Sequence, residues 1–251
     1  MILTAHQPNF MPYSGFFSKA MLADIFAITD NLQYVVREWQ NRNRIRVRNG
    51  WEWLTVPVLT KNHFKKTISE ICVNNKQAWR RKHWRKLLIN YGSSPFFETY
   101  EKFFEKLYSQ EWKNLAELNE TIILYIFKEL NVNAKVVRTS GQNISGQKTD
   151  FLINLCTRFG ADTYLSGPGG KAYVDEGKFE DHGIRLVYQD YSPQIYGQRY
   201  EPFIPDLSVI DMMFNCGSDA AQEIIRNFSP SVNLGSLKKT RVAIEATTIA
   251  A

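Results

Sequence analysis

The chain has 251 residues, 31 Lys+Arg against 25 Asp+Glu for a formal net charge of +6, and a hydrophobic content of 44%, including 14% aromatics. That composition excludes a disordered chain and favours one α/β domain with an insertion and anionic partners. Cys72, Cys156 and Cys216 have no paired spacing, which argues against structural zinc or a disulfide framework; with no membrane-length apolar run and no signal peptide, a cytoplasmic protein is expected.

The apolar run Ile2-Leu3-Thr4-Ala5 is followed by the Pro-punctuated segment His6–Tyr13 and by a helix opening near Gly15. A loop at the carboxyl end of a strand, facing a helix N-terminus, is where open α/β sheets hold phosphates. His6, Gln7, Asn9 and Gly15 are therefore candidate site residues. A second strand is expected over 25–29, and the loop after it carries Asp30, Asn31, Gln33 and Tyr34. A hairpin follows, 43–48 with 51–58, turning at Asn49-Gly50. Period two puts Arg42, Arg44, Arg46 and Arg48 on one face and Ile45 and Val47 on the other. Like charges on one face repel unless something anionic sits there. Arg42 and Arg44, with Asn41, are thus candidates to hold a phosphate or carboxylate. A short strand is expected near 69–73.

From 76 to 130 the pattern is helical, in segments near 76–91, 95–109 and 111–130 broken at Ser93-Ser94-Pro95. The recurring Tyr91, Phe96, Phe97, Phe103, Phe104, Leu107 and Tyr108 fit a core. The basic cluster Arg80, Arg81, Lys82, Arg85 and Lys86 fits a solvated helix face. The α/β rhythm then resumes: strand 134–138, helix 149–159 capped by Gly160, strand 162–165, helix 174–181, strand 184–188. The pattern predicts a doubly wound, mostly parallel sheet, a Rossmann variant, with its core in 1–75 and 132–235, a helical insertion over 76–131 and a tail over 236–251 that carries no functional signal.

The strand ending at Leu165 runs into Ser166-Gly167-Pro168-Gly169-Gly170-Lys171-Ala172-Tyr173. Glycines let backbone amides approach an oxyanion, and Lys171 supplies a movable charge, although Walker spacing is absent. In a doubly wound sheet this loop and the 6–15 loop face each other across a crevice. Downstream, Gln189, Tyr191, Tyr196 and Gln198 offer uncharged hydrogen-bonding and stacking groups suited to a sugar or base. Asp206 or Ser208 is expected to cap a helix over 208–216, and Asp211, one turn inside its apolar run, needs a partner.

HQPNFMPYSGFF, NLQY, WQNRNRIR, WLTVPV, YLSGPGGKAY and YGQRYEPFIPDLSVIDMMFNCG, in this order over about residues 1–235, resemble the WbqC-like proteins. That family is associated with O-antigen and surface-polysaccharide gene clusters, and some members have been proposed to transfer glycine to a sugar. A weaker likeness is to the HIGH-motif nucleotidyltransferases and pantothenate synthetase, with His6 matching the first motif histidine, Lys171 the mobile-loop lysine and NLQY at 31–34 the substrate loop. The second motif histidine is replaced by Phe16, with Gln7 or Lys19 as its candidate substitutes. The resemblance implies an ATP-dependent ligase or acyltransferase, using ATP with Mg²⁺ to join an amino acid, glycine for instance, to a nucleotide-linked amino sugar. In that reading His6 and Lys171 stabilise the reacting phosphate, Gln7, Asn9, Gly15, Ser166, Gly167, Gly169 and Gly170 surround the nucleotide, and Gln33, Asn41, Arg42, Arg44, Tyr173, Gln189, Tyr196 and Gln198 bind substrate. No resident metal site is expected. Two alternatives stay open: a preactivated donor such as aminoacyl-tRNA, with the arginine strand and basic helix as an RNA platform, or a nucleotide-sugar-binding protein without chemistry.

Overall fold

Strands covered on both faces bury every position, whereas edge strands leave some exposed. The strands of this chain sort accordingly. The computed structural model describes residues 1–60 and 63–227; the 236–251 tail and the end of the expected core at 235 lie outside them. In order, the elements are β1 (Ile2–His6), α1 (Ser14–Met21), β2 (Ile25–Ile28), β3 (Arg42–Val47), β4 (Gly50–Thr55), α2 (Trp79–Tyr91), α3 (Phe97–Ser109) and α4 (Leu115–Glu129). There follow β5 (Lys135–Arg138), α5 (Lys148–Phe159), β6 (Thr163–Ser166), α6 (Glu176–Asp181), β7 (Arg185–Tyr188) and α7 (Val209–Asn227). β2 and β6 are buried throughout, while β5 and β7 are half-exposed. The last two are the edges of a parallel five-stranded sheet of order β5-β2-β1-β6-β7.

Alternate residues of the central strands serve two cores. Phe26 and Ile28 pack with Phe16 and Phe17 of α1 and Phe127 of α4, whereas Ile25 and Ala27 pack with Phe151, Leu155 and Cys156 of α5 and Phe179 of α6. Helices thus cover both faces, and the doubly wound sheet is observed. The winding moves outward from β1 to β2 and β5, then reverses to β6 and β7. The reversal lies between β1 and β6, where open α/β sheets leave a crevice at their carboxyl edge.

The hairpin differs in detail from the expectation. Val47 pairs with Gly50, so the two-residue loop is Arg48-Asn49, and Gly50, at φ +124°, is already in the strand. Arg46 is not on a solvated face: it is 1% exposed. Its guanidinium donates to the carbonyls of Val47 (3.0 Å), Gly50 (2.6 Å), Tyr200 (3.0 Å) and Pro202 (2.9 Å), which closes the turn and ties the 200–202 segment to it. A planar fork of donors fits such a cage of carbonyls, as an ammonium would not. The segment 69–73 is no strand. A capping box between Thr67 and Glu70 tightens it into a 3₁₀ turn over Ile68–Glu70, followed by single bridges from Val73 to Val58 and Cys72 to Asn114.

Arg81, Lys82 and Arg85 of α2 are exposed, a solvated face as expected, and Arg80 and Lys86 pair with Glu111 and Glu52. Tyr91, Phe97 and Phe104 surround Phe214 at 5.0–5.4 Å, so the helical segment shares one core with α1 and β2. Buried Asp211 has its partners: Tyr91 donates to Oδ1 at 2.8 Å and Tyr196 to Oδ2 at 2.7 Å. Among the described residues Ser208 Oγ has no partner and makes no cap; the Ser208 amide and carbonyl, bonded to Arg44 O and Asp211 N, fix the helix entry. α7 is interrupted at Gly217, whose φ of +79° and ψ of +167° are non-helical. A Cβ there would lie 2.9 Å from the Phe96 ring. Gly217→Ala combines a left-handed φ with this clash and should cost about 2 kcal/mol or more in urea unfolding; a near-neutral result would show that α7 can straighten.

Candidate functional site

The register Thr4↔Leu165 sets the ends of β1 and β6 side by side, and a cavity of about 850 Å³ opens beyond them. One wall is His6, Gln7 and Asn9 with Gly15, Phe16 and Lys19 of α1; the opposite wall is Ser166–Gly170 and Tyr173. A second chamber of about 500 Å³ shares His6, Asn9, Tyr13, Trp39 and Pro168 and reaches out to Arg44, Tyr191 and Asp206. The N-termini of α1 and α5 both border the larger chamber, and neither N-cap side chain accepts from the first-turn amides. Unbonded amides and the helix dipole make such ends attractive to anions.

His6 Nδ1 lies 3.0 Å from the Gln7 carbonyl. A carbonyl only accepts, so Nδ1 carries the hydrogen and Nε2 of the neutral ring keeps its lone pair. Burial first, and then the charge of Lys19, push the imidazole pKa down to about 3, against the opposing effect of the Gln7 bond. His6 is therefore a neutral acceptor at physiological pH, not a cation. Phe16, where the HIGH-like pattern would set its second histidine, packs its ring 4.7 Å from the His6 ring.

Lys19 is 4% exposed, yet it borders the cavity. Side chains on a helix lean toward its N-terminus, and this one reaches back to donate from Nζ to Ala5 O at 2.9 Å. Among the described residues no carboxylate lies within ion-pair distance of it. Burial lowers its pKa to about 7. The ammonium has three donors and, among the described residues, this one acceptor, so it retains capacity for an anion.

One glycine of the facing loop is required by crowding, and another leaves room before Lys19. A Cβ on Gly170 would lie 2.0 Å from Ser166 Oγ, and one on Gly167 would stand 3.8 Å from Lys19 Nζ, in the space before the ammonium. Gly169 faces open space. Gln189 braces the wall from behind, donating from Nε2 to Gly15 O at 2.9 Å and to Ser18 Oγ at 3.2 Å.

The motifs, taken in order along a chain with this sheet, agree with a match to the model of the WbqC-like protein family over residues 7–223. The chain belongs to the WbqC-like family. It is also 34% identical over 216 residues to "Uncharacterized protein Rv1507c" of Mycobacterium tuberculosis (strain ATCC 25618 / H37Rv), an alignment covering 85% of this chain and 93% of that relative. No solved structure matches it.

In this WbqC-like protein the crevice brings together most, but not all, of the expected site residues. His6, Gln7, Asn9, Gly15, Ser166, Gly167, Gly169, Gly170, Tyr173 and Gln189 border the larger chamber and Arg44 the smaller. Lys171 borders neither; it is exposed, with Nζ 5.5 Å from the Tyr188 ring, because the 3₁₀ turn Pro168–Ala172 carries it round the outside. Gln33 donates to Phe64 O (2.9 Å) and Asn41 to Val56 O (2.9 Å), both away from the crevice. Arg42 lies over the Trp53 ring at 4.2 Å. Tyr196 is committed to Asp211, and Gln198 binds Ile204 O at 2.9 Å and Tyr196 Oη at 3.2 Å, so both brace the loop before α7. The lining residues Tyr13, Trp39 and Gly146–Lys148 had no local signal. Lys19 had one: it is the sole charge in Phe16-Phe17-Ser18-Lys19-Ala20-Met21-Leu22. Among the described residues no helix is long and apolar enough to cross a membrane.

Lys19→Met should leave the fold intact and raise its melting temperature at pH 6, since it removes a desolvated charge. The sign follows from the lowered pKa: the cost of Lys19 is present in full below pH 7 and disappears between pH 7 and the unfolded-state value of 10.5. The stability gap between wild type and variant, measured by thermal unfolding, should therefore narrow over that interval.

Proposed function

We propose that this WbqC-like protein is an ATP-dependent ligase or acyltransferase that joins an amino acid to a nucleotide-linked amino sugar in surface-polysaccharide biosynthesis. The observation that carries this reading is the buried Lys19 ammonium facing Gly167 in a cavity at the reversal point of the sheet. An under-satisfied buried cation, uncapped helix N-termini and a volume of about 850 Å³ fit a nucleotide's phosphates and sugar. Mg²⁺ would arrive with the phosphates, since among the described residues no cluster of three His, Cys, Asp or Glu is arranged to hold a metal.

In this mechanism the amino-acid carboxylate attacks the α-phosphorus of ATP and pyrophosphate leaves. The sugar amine then attacks the acyl carbon, AMP departs with its electron pair, and the amine proton goes to a base. Lys19 stabilises the charge that builds on the phosphate, and the lone pair of His6 Nε2 is the acceptor at hand for the proton. Burial is the larger cause of the low basicity of His6, and an anion bound beside Lys19 offsets the smaller one, the positive charge of the ammonium. Arg44 holds a carboxylate or phosphate in the outer chamber. The reading with a preactivated donor such as aminoacyl-tRNA is favoured by one observation, the arginine–tryptophan face beside that chamber, and it needs no ATP.

Isothermal titration with ATP, with and without Mg²⁺, should give saturable binding to wild type, and no heat at millimolar nucleotide would sink the adenylate step. Gly167→Val should abolish binding without unfolding the chain, because φ −72° and ψ 165° suit valine while its side chain fills the space before Lys19. Pyrophosphate release dependent on amino acid separates the ligase from both alternatives. His6→Ala should keep nucleotide affinity within a few-fold and lower turnover about 100-fold or more.

A further inference from the structure

The β3–β4 hairpin solves its charge repulsion with aromatic rings. Arg42 lies 4.2 Å from the Trp53 ring, and Arg44 lies 5.6 Å from Trp39 and 5.2 Å from Trp51. The rings contact each other in turn, Trp39 to Trp53 at 5.5 Å and Trp51 to Trp53 at 5.3 Å. This apolar, basic face is open: Trp39 is 40% and Trp51 41% exposed, beside the exposed Val35 and Val36. Among the described residues no carboxylate pairs with Arg37, Arg42, Arg44 or Arg48. Glu52 of the same hairpin is engaged by Lys86. The face therefore presents uncompensated charge together with ring surface, and Trp39 and Arg44 continue it into the outer chamber.

We propose that this arginine–tryptophan face is a platform for single-stranded RNA running into the crevice. Same-face side chains on a strand recur at about 7 Å, a step comparable to that between phosphates of an extended polynucleotide. Rings stack on bases whatever their identity, and the interleaved guanidinium groups meet the phosphates. A neutral glycan would use the rings but leave the arginines unmatched. A protein partner's apolar surface would bury their charge unpaired, which is costly. Arg46 is enclosed by the 200–202 segment, so the open part of this face runs from Arg42 to Arg44, one same-face step of about 7 Å, and fits about two nucleotides. The platform depends on the nucleotide reading of the crevice only for where the strand ends.

Fluorescence anisotropy with a short labelled oligouridylate, at low and at physiological salt, tests it on the full chain. Binding should weaken as salt rises. Trp51→Ala should lower affinity about tenfold and Trp51→Phe should largely restore it; Arg42→Gln should lower affinity and reduce the salt slope by about one. All three should keep the wild-type melting temperature and ATP titration, while Lys19→Met, which lies in the crevice, should lose ATP and keep the oligonucleotide. Failure of the platform and failure of the crevice reading are thereby distinguishable. In wild type, tryptophan emission should be quenched saturably by oligouridylate and not by a polyuronate. Absence of oligonucleotide binding at low salt, binding indifferent to Trp51→Ala, or preference for the polyuronate would overturn the proposal.

Discussion

Pro8–Met11 is a buried loop, and a buried loop must find partners for backbone carbonyls that no ladder serves. Two asparagines meet that constraint. Asn43 of β3 donates from Nδ2 to Phe10 O (3.2 Å) and Met11 O (2.7 Å), and Asn119 of α4 donates to Pro8 O and Gln40 O, both at 2.7 Å. They hold Met11 at φ +46°, a conformation a methionine adopts only under such restraint. Through them the hairpin and the helical segment grip the loop that begins with His6. The Phe10 amide donates to Trp39 O and the Val209 amide to Pro12 O, so Trp39 and α7 are set by the same loop. The crevice owes its shape to elements far apart in the chain closing on one unladdered segment.

Two buried cations show how burial separates structure from function. Arg46 is surrounded by four carbonyls and near Asp211, and its hydrogen bonds go to the hairpin turn and the 200–202 segment. That charge is spent on holding the fold. Lys19 has one carbonyl and a depressed pKa, and its remaining donors face a cavity. A desolvated charge without a counterion is a cost to stability that a ligand can relieve, which is why such groups concentrate at functional sites. The neutrality of His6 follows first from the same burial and then from the same ammonium.

The elements of the sheet were legible because local pattern decides them. Runs such as Ile25-Phe26-Ala27-Ile28 have no face to give to water, and Gly160, found at φ +65°, marks the end of α5 as a left-handed cap. The order of motifs also led to the two loops that meet across the crevice. Period-two reasoning on the arginine strand was half right. It put Arg42, Arg44, Arg46 and Arg48 on one face, but Arg48 falls in the turn, only the returning 200–202 segment makes Arg46 internal, and local sequence carries no sign of that return.

Composition, periodicity and turn chemistry by themselves determined the α/β class, the parallel sheet and the strand ends where a site belongs, because these depend on residues within a few positions of one another. Which lysine serves the crevice was decided only by tertiary structure. Lys171 lies on the expected loop, but a 3₁₀ turn carries it outside, while Lys19 reaches in because its helix leans back over the end of β1. Tyr196 and Gln198 read equally well as ligand-binding groups until Asp211, on a different element, claims the first of them. A side chain's chemistry is local, but the partner that occupies it is chosen by packing between segments more than a hundred residues apart, as Tyr91 and Asp211 are.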